Sequence, residues 1–197
     1  MYFSATIFKM VGFPIPTLTS LSVSGTNFAF TIAAILFIDR IGRRRMLLGS
    51  VPLMVAGLLL AAYGFTHVTV DLGASDSSPG PPGSSPTQQY GATIILVSII
   101  FYVAAYALGL GNVPWMQSEL FPLPVRSLGS GLATGTNWLA NFIVGLTFLP
   151  LMDALGPART FVMYALVCCL GYGLVWGWYP ETAGLSLEET GALLDGW

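Results

Sequence analysis

Five long apolar stretches constrain the fold of this chain more than any other feature of its sequence. Crossing a bilayer takes an α-helix of about 20 mostly apolar residues. The stretches that meet this length are Pro16–Ile38, Met46–Phe65, Gly91–Gln117, Leu128–Met152 and Thr160–Tyr179. A sixth stretch, residues 1–11, is too short to span and has the character of a helix that lacks its beginning. The sequence therefore predicts an all-α, polytopic membrane protein, a single bundle whose first helix is truncated.

Charged residues are too few for a soluble domain of this size. Only 8% of the 197 residues are charged, against about 25% in soluble proteins. The longest basic run is Arg43–Arg45, and the single histidine, His67, has no metal-ligand or acid–base companion at a useful spacing. We therefore expect lipid as the surrounding solvent, and we expect no nucleic-acid partner, no metal, no cofactor and no enzyme activity.

The basic residues of the connections indicate which side of the membrane is cytoplasmic. Five arginines fall at one end of the spans, at positions 40, 43, 44, 45 and 126, whereas Lys9 and Arg159 fall at the other end. The positive-inside rule places the first end in the cytoplasm. The Pro/Ser-rich connection, residues 66–90, is then predicted as a flexible extracellular loop, and residues 180–197 as a cytoplasmic tail.

Charged motifs recur at three of the predicted cytoplasmic helix ends. Residues 39–45 read D-R-I-G-R-R-R between two spans, Glu119 precedes Arg126 by seven residues, and Glu181 follows the last span. A positive-inside anchor accounts for the arginines alone. The acids beside them also fit a network of ion pairs between helix ends that breaks when the helices move. Because Glu119 and Arg126 are too far apart for one turn, we expect them to reach neighbouring helices.

Gly109, Gly111 and Pro114 interrupt the apolar stretch 91–117. Proline removes a backbone hydrogen bond, and freed backbone groups at membrane depth are tolerated only inside protein or beside a water-filled cavity. Interrupted spans therefore point to a transport site. Trp115, directly after the break, fits either a surface that stacks on a sugar-like ligand or a tryptophan at the membrane interface.

Two amides occupy another span. Asn137 and Asn141 are four residues apart and share one helix face. At membrane depth they need polar partners, either another helix or the hydroxyls of a polyol. Gly131 and Gly135 form a GxxxG pair nearby, which indicates close packing of two helices.

These motifs together resemble the sugar porter family of the major facilitator superfamily. They read D-R-x-G-R-R, G-x-G-x-x-P-W, E-L-F-P-x-x-V-R, N-W and P-E-T-x-G in chain order. The amino-acid sequence of these motifs is most similar to that of fungal myo-inositol transporters, which are proton symporters. The resemblance covers the chain apart from the Pro/Ser-rich loop, and it implies helices seven (partial) to twelve of that twelve-helix fold, carrying a sugar or polyol by alternating access.

The resemblance also implies roles for particular residues. It assigns Asn112, Trp115 and Asn141 to the central substrate cavity, with Asn27 and Asn137 as further polar positions. It assigns eight residues to a cytoplasmic gate: Asp39, Arg40, Gly42, Arg43, Arg44, Glu119, Arg126 and Glu181.

The same resemblance implies parts that this chain does not contain. The family's Q-Q-x-x-G-x-N motif would precede Tyr2, and the first six-helix bundle with its proton-coupling acid is missing. Ala107 stands where many hexose facilitators carry Glu, and Ala183 replaces a usual Lys. We expect the full-length protein to be a myo-inositol/proton symporter of the plasma membrane, and this chain alone not to transport. A hexose facilitator half and a non-transporting truncated membrane fragment are the alternatives.

Overall fold

The computed structural model describes residues 4–11, 16–68, 86–112, 121 and 123–178. These residues form six α-helices, joined in part by two single turns of 3-10 helix, Leu110–Asn112 and Leu123–Val125, and they contain no strand. The helices are α1 Ser4–Val11, α2 Pro16–Ile41, α3 Arg43–Thr66, α4 Pro86–Leu108, α5 Arg126–Leu155 and α6 Pro157–Trp178. Helices α2 to α6 are each long and apolar enough to cross a membrane. The predicted all-α, multi-pass architecture is confirmed.

Most helices extend beyond the apolar stretches that indicate them. Helix α2 continues to Ile41 instead of ending at residue 38, and α3 begins at Arg43 instead of residue 46. Hydropathy marks only the residues that prefer lipid, whereas helical hydrogen bonding continues into the interface, where long charged side chains reach water. Helix α4 differs at both ends from the apolar stretch 91–117 that indicates it, because the helix begins at Pro86 and ends at Leu108.

Several predicted features lie outside the described residues. These are most of the 66–90 connection, the tail 180–197, and residues 113–120, which include Pro114, Trp115 and Glu119. Glu181 also lies outside them.

Helix α3 is the centre of the bundle. It packs most extensively against α4 and α6, and α4 packs in turn against α2. The largest buried cluster joins side chains of five helices: Ile7, Val11, Leu58, Ala61, Ala62, Phe65, Val68, Ile95, Phe148, Met152, Phe161 and Ala165. Within it the rings of Phe65 and Phe161 stack with centroids 5.2 Å apart, and Phe148 meets Phe161 edge-on at 6.4 Å. This cluster fixes α6 on α3 and holds one end of α5 against α6.

Glycines allow α3 and α4 to approach closely along a line that we call the α3–α4 seam, formed by Gly57, Gly64, Gly91 and Gly109. A Cβ atom at Gly64 would lie 2.8 Å from Cγ1 of Ile95, and one at Gly91 would lie 2.6 Å from Cγ2 of Val68. A Cβ at Gly109 would overlap the buried Ser50 side chain. Because real Cβ contacts are longer than these, only glycine fits at these three positions of the seam. Small residues serve the same purpose in other membrane helix pairs.

Helices α2 and α5 are far less covered than α3. Only 11% of the residues in the membrane-spanning window of each are buried, against 44% for α3. Both carry large exposed side chains such as Phe28 on α2 and Leu139 on α5. Lipid covers apolar side chains of this kind, so the informative residues on these two helices are the exposed polar ones.

Candidate functional site

Gly42 forms the whole connection between α2 and α3. Its φ angle is +94°, a region in which residues with a side chain are strained, and the residue is buried. Its N–H donates to the Ile38 carbonyl at 3.1 Å, and its carbonyl accepts from the Met46 N–H at 3.1 Å. The end of α2 and the start of α3 are therefore tied to the same glycine, and the arginines on both sides of it lie at one end of the bundle.

Four of the gate-motif arginines stand at helix ends of opposite polarity. Arg40 lies in the last turn of α2, where the helix dipole favours a cation. Arg43 and Arg44 occupy the first two positions of α3, and Arg126 is the first residue of α5. At a helix N-terminus the dipole disfavours a cation by roughly 0.3–1 kcal/mol. An oxygen atom near any of the latter three guanidinium groups would offset this repulsion.

Arg44 has such an oxygen on another helix. Its Nη2 donates to the backbone carbonyl of Trp176 at 2.8 Å. Trp176 lies in the last turn of α6, where carbonyls have no partner within the helix. The bond therefore joins the negative end of α6 to the start of α3.

Arg126 finds its oxygen locally. Its Nε donates to the carbonyl of Phe121 at 3.3 Å, and the ring of Phe121 fills the space at Gly129, where a Cβ would lie 2.6 Å from it. The described contact of Arg126 is local, so the expectation that this residue reaches a neighbouring helix stays a prediction. Sequence separation alone cannot show that the chain folds back between residues 121 and 129. The ion pairs predicted with acidic residues stay predictions. Glu119 and Glu181 lie outside the described residues, and only the backbone of Asp39, in the last turn of α2, is described.

The chain stops being α-helical at the first glycine of the predicted break. Helix α4 ends at Leu108, the Gly109 N–H donates to the Tyr106 carbonyl at 3.3 Å, and a 3-10 turn follows over Leu110–Asn112. At Gly111 a Cβ would lie 3.2 Å from the Tyr106 carbonyl oxygen. Close approach to Ser50 of α3 thus requires Gly109, whereas the space at Gly111 is tight against the preceding turn. Asn112 is the last residue described before Pro114 and Trp115, so its place in a cavity stays a prediction.

Four polar residues form a stripe along one side of α5, which we call the α5 polar face: the half-buried Ser130 and the exposed Thr134, Asn137 and Asn141. At 3.6 residues per turn they fall within about 60° of one another around the helix axis. Asn141 Nδ2 donates to the Asn137 carbonyl at 2.9 Å and lies 3.4 Å from Asn137 Oδ1. The two amides stand near the middle of the 30-residue helix, and both are exposed.

The side of α5 opposite the polar face is apolar. Five large side chains lie there, and all are exposed: Leu128, Leu132, Leu139, Ile143 and Leu146. Gly131 and Gly135 also lie open, since a Cβ added at either residue would have no heavy atom within 4 Å. No described residue covers this GxxxG pair, so close packing of another helix against it stays a prediction. Spacing identifies a small-residue face, but it does not tell whether a partner within the same chain covers it.

Helix α2 carries a second polar stripe at helical spacing. Ser20, Ser24, Asn27 and Thr31 follow one another at intervals of four, three and four residues. Thr31 Oγ1 donates to the Asn27 carbonyl at 2.8 Å, and Ser24 Oγ donates to the Ser20 carbonyl at 3.2 Å. Ser20 Oγ also meets Ser4 Oγ of α1 at 3.4 Å. Hydroxyls that donate to their own helix leave oxygen lone pairs that can accept from a ligand.

The structure brings some of the predicted residues together and leaves others apart. Asn137 and Asn141 are hydrogen-bonded neighbours, whereas no described bond links either of them to Asn27. Ser130 and Thr134 complete the α5 polar face, and sequence reasoning missed them. The signal that could have found them is their spacing: Thr134 lies three residues before Asn137 and Ser130 four residues before Thr134, which continues the stripe toward Arg126.

The fold and the site define a multi-pass helical membrane protein with two polar stripes at membrane depth and an arginine-rich end. The family described as Sugar (and other) transporter matches residues 1–194. The chain therefore belongs to the sugar (and other) transporter family.

Two of the similar curated relatives are fungal proteins. The chain is 43% identical over 194 residues to Myo-inositol transporter 2 of Schizosaccharomyces pombe, a match that covers 98% of this chain and 33% of the relative. It is 42% identical over 194 residues to Myo-inositol transporter 1 of Saccharomyces cerevisiae, with coverage of 98% and 32%. The chain thus spans about a third of the length of the curated relatives that it matches.

Solved structures give the same fold. The proton:xylose symporter XylE bound to 6-bromo-6-deoxy-D-glucose superposes with a TM-score of 0.79 at 28% identity, covering 98% of this chain and 38% of that one. The inward open conformation of the xylose transporter XylE from E. coli gives a TM-score of 0.69 at 29% identity, with coverage of 96% and 39%. The fold of this chain is therefore that of one part of a major facilitator transporter.

Proposed function

We propose that this chain forms the second six-helix bundle of a polyol transporter, and that the whole protein carries myo-inositol together with protons by alternating access. In such transporters two bundles rock around a substrate site at their interface, near the middle of the membrane. The similarity to fungal myo-inositol transporters supports the substrate, since the chain is more than 40% identical to two of them. The described residues supply one side of such an interface.

The observation that carries the proposal is the exposed pair Asn137 and Asn141 on α5. Polar side chains at membrane depth are costly when they face lipid, and they face a partner or a water-filled cavity instead. Each carboxamide offers both donors and acceptors, which suits the adjacent hydroxyls of a polyol. Asn27 on α2 and Asn112 and Trp115 after the α4 break are assigned to the same cavity by their similarity to the family.

The arginine-rich end is proposed as the cytoplasmic half of a gate. The residues that would form it with groups of the first bundle are Asp39, Arg40, Gly42, Arg43, Arg44, Glu119, Arg126 and Glu181. Arginines at the N-termini of α3 and α5 are disfavoured by the helix dipole, so acidic partners across the interface would stabilise the closed state. On this assignment the C-terminus lies in the cytoplasm and the protein resides in the plasma membrane, with Gly109, Gly111 and Pro114 shaping the cavity wall.

A second bundle is required for transport. One bundle offers half of a substrate site and half of a gate, so the chain alone should not accumulate substrate. The first six helices of the S. pombe relative supply a matched other half.

The test is uptake of labelled myo-inositol in yeast cells that lack inositol transporters. Cells would express this chain alone, the first half of the S. pombe relative alone, or both. We expect accumulation only with both halves, and we expect a protonophore to abolish it. Accumulation by this chain alone would refute the proposed division of labour.

Asn141→Leu provides the site-specific arm of the same assay. Loss of hydrogen bonds to a substrate hydroxyl should lower uptake by roughly 10- to 100-fold. Leu139→Ala is the matched control, because Leu139 is exposed on the opposite side of the same helix. Equal effects of the two substitutions would remove Asn141 from the site.

A further inference from the structure

A groove separate from the polar stripes runs between α3 and α6. It encloses about 370 Å³ and is lined by Leu59, Ala62, Tyr63, Thr66, Ala158, Arg159 and Val162. The α3 residues recur at three- to four-residue spacing on one face, as do the α6 residues. The small side chains Ala62 and Ala158 keep the groove open, while the surrounding core holds α6 on α3.

The groove changes character along its length. Thr66 is the last residue of α3 and Arg159 is the third residue of α6, so both stand where their spans end. Leu59 lies seven residues before Thr66, which is about 10 Å deeper along the helix. Leu59 is half exposed and faces outward into the lipid region. The groove therefore has a polar mouth at the membrane interface and an apolar continuation at membrane depth.

Tyr63 forms a firm wall at the mouth. Its ring meets the His67 ring edge-on at a centroid distance of 4.8 Å, and His67 in turn lies 6.5 Å from the Tyr90 ring of α4. The Thr66 hydroxyl donates to the Tyr63 carbonyl at 2.7 Å. These ring contacts and this hydrogen bond hold the α3 residues at the mouth of the groove in place.

Arg159 gives the mouth a positive charge. It is exposed, and Asp153, the acidic side chain described nearest to it in sequence, makes no ion pair with it among the described contacts. The gate-motif arginines stand at the other end of α3, so they do not supply or neutralise this charge. A planar guanidinium binds phosphate with two parallel hydrogen bonds.

From this arrangement we propose that the groove is a binding site for one anionic phospholipid, with its phosphate headgroup at Arg159 and an acyl chain along Ala62, Leu59 and Val162. Charge and shape both fit this occupant, since the cation lies at the interface and the apolar wall lies beneath it. Zwitterionic phosphatidylcholine would fill the apolar part equally well and carries the same phosphate, but its choline cation would repel Arg159, so it would gain less from this residue. Because Arg159 lies at the end of the bundle that is predicted to be extracellular, the lipid would belong to the outer leaflet. The proposal does not depend on transport.

Native mass spectrometry of the full purified chain tests the proposal. The chain would be incubated in detergent with equal amounts of phosphatidylinositol and phosphatidylcholine that carry identical acyl chains. We expect one retained lipid, with phosphatidylinositol favoured about fivefold, the effect of roughly one interfacial cation. Arg159→Gln should bring this ratio close to one, and Arg159→Lys should retain part of it. Arg45→Gln, an exposed arginine at the opposite end of α3, should leave it unchanged.

Ala62→Phe tests the apolar part of the groove. The larger side chain should lower retention of both lipids severalfold, whereas Leu60→Phe, at an exposed position of α3 outside the groove, should not. Circular dichroism would verify that each variant is folded. Because Arg159 is exposed, we expect its two variants to fold. They therefore test the proposed lipid site even if Ala62→Phe does not fold. Equal retention of the two lipids by the unmodified chain, or an unchanged preference in Arg159→Gln, would overturn the proposal.

Discussion

The α3–α4 seam and the GxxxG pair of α5, Gly131 and Gly135, consist of similar small residues in opposite surroundings. Along the seam, added Cβ atoms at Gly64 and Gly91 would collide with the side chains of Ile95 and Val68. On α5, Gly131 and Gly135 face open space. In membranes, small residues mark surfaces where another helix approaches closely. The partner of the seam lies within this chain, whereas the described residues contain no partner for the face of α5.

The polar residues follow the same division. Ser50 and Ser98 on the covered helices are buried, and their hydroxyls donate to carbonyls of their own helix at 3.0 and 2.8 Å. Asn137 and Asn141 are exposed at the middle of a span. Buried serines need nothing further, but exposed amides at that depth require water, a ligand or a second bundle. The difference therefore separates residues that hold this bundle together from residues that act on something outside it.

The largest expected effect contrasts a glycine of the seam with one of the open face. Gly64→Leu would force a side chain into Ile95, and we expect it to lower the free energy of unfolding by about 2–3 kcal/mol. Gly135→Leu should change the same quantity by less than about 0.5 kcal/mol. Denaturation of the purified chain with SDS, followed by circular dichroism, measures both. If the two variants were equally unstable, the distinction between seam and open face would fail.

A smaller contrast concerns backbone conformation. Gly42→Ala should cost about 1–2 kcal/mol, because Gly42 has a φ of +94° that a residue with a Cβ tolerates poorly. Gly49→Ala is the matched control, since Gly49 is helical with no atom within 4 Å of a new Cβ; it should be neutral or stabilise by up to about 1 kcal/mol. The same SDS denaturation applies. A neutral Gly42→Ala would mean that the α2–α3 turn does not depend on glycine.

The smallest contrast compares two threonine hydroxyls. Thr160 is fully buried, and its single Oγ1 hydrogen can be donated to the Leu151 carbonyl of α5 at 3.1 Å or to the Gly156 carbonyl at 2.9 Å. Thr147 bonds only a carbonyl of its own helix, that of Ile143. Thr160→Val should therefore cost about 1 kcal/mol and Thr147→Val a few tenths. Thermal unfolding in detergent would resolve the order of the two. The reverse order would show that Thr160 does not fasten α5 to α6.

Sequence reasoning succeeded where a residue's preference for lipid decides the structure. The apolar stretches located the helices because lipid selects them by length and hydropathy. Sequence reasoning was insufficient where a contact depends on how another part of the protein packs against the residue. The GxxxG pair of α5 has the right spacing but lacks a described partner, and the carbonyl that accepts from Arg126 belongs to a local fold-back at Phe121.

The candidate site divides in the same way. The shared face of Asn137 and Asn141 follows from helical geometry alone, whereas the bond from Arg44 to the Trp176 carbonyl depends on how α6 docks on α3. No spacing rule links residues 132 positions apart. Roles in the gate and the cavity remain predictions from the resemblance, since they involve groups beyond the described residues.

Thiol accessibility tests most directly whether the α5 polar face lines a water-filled cavity. Single cysteines would replace Asn141 or, as control, Leu139, in a background of Cys168→Ala and Cys169→Ala, with the first half of the S. pombe relative present in the same membranes. We predict that a membrane-impermeant thiol reagent labels the cysteine at position 141 at least about tenfold faster than the one at 139, by roughly the difference between water and lipid exposure, and that myo-inositol slows this labelling. Equal labelling at the two positions, or faster labelling at 139, would contradict a water-filled cavity at this face.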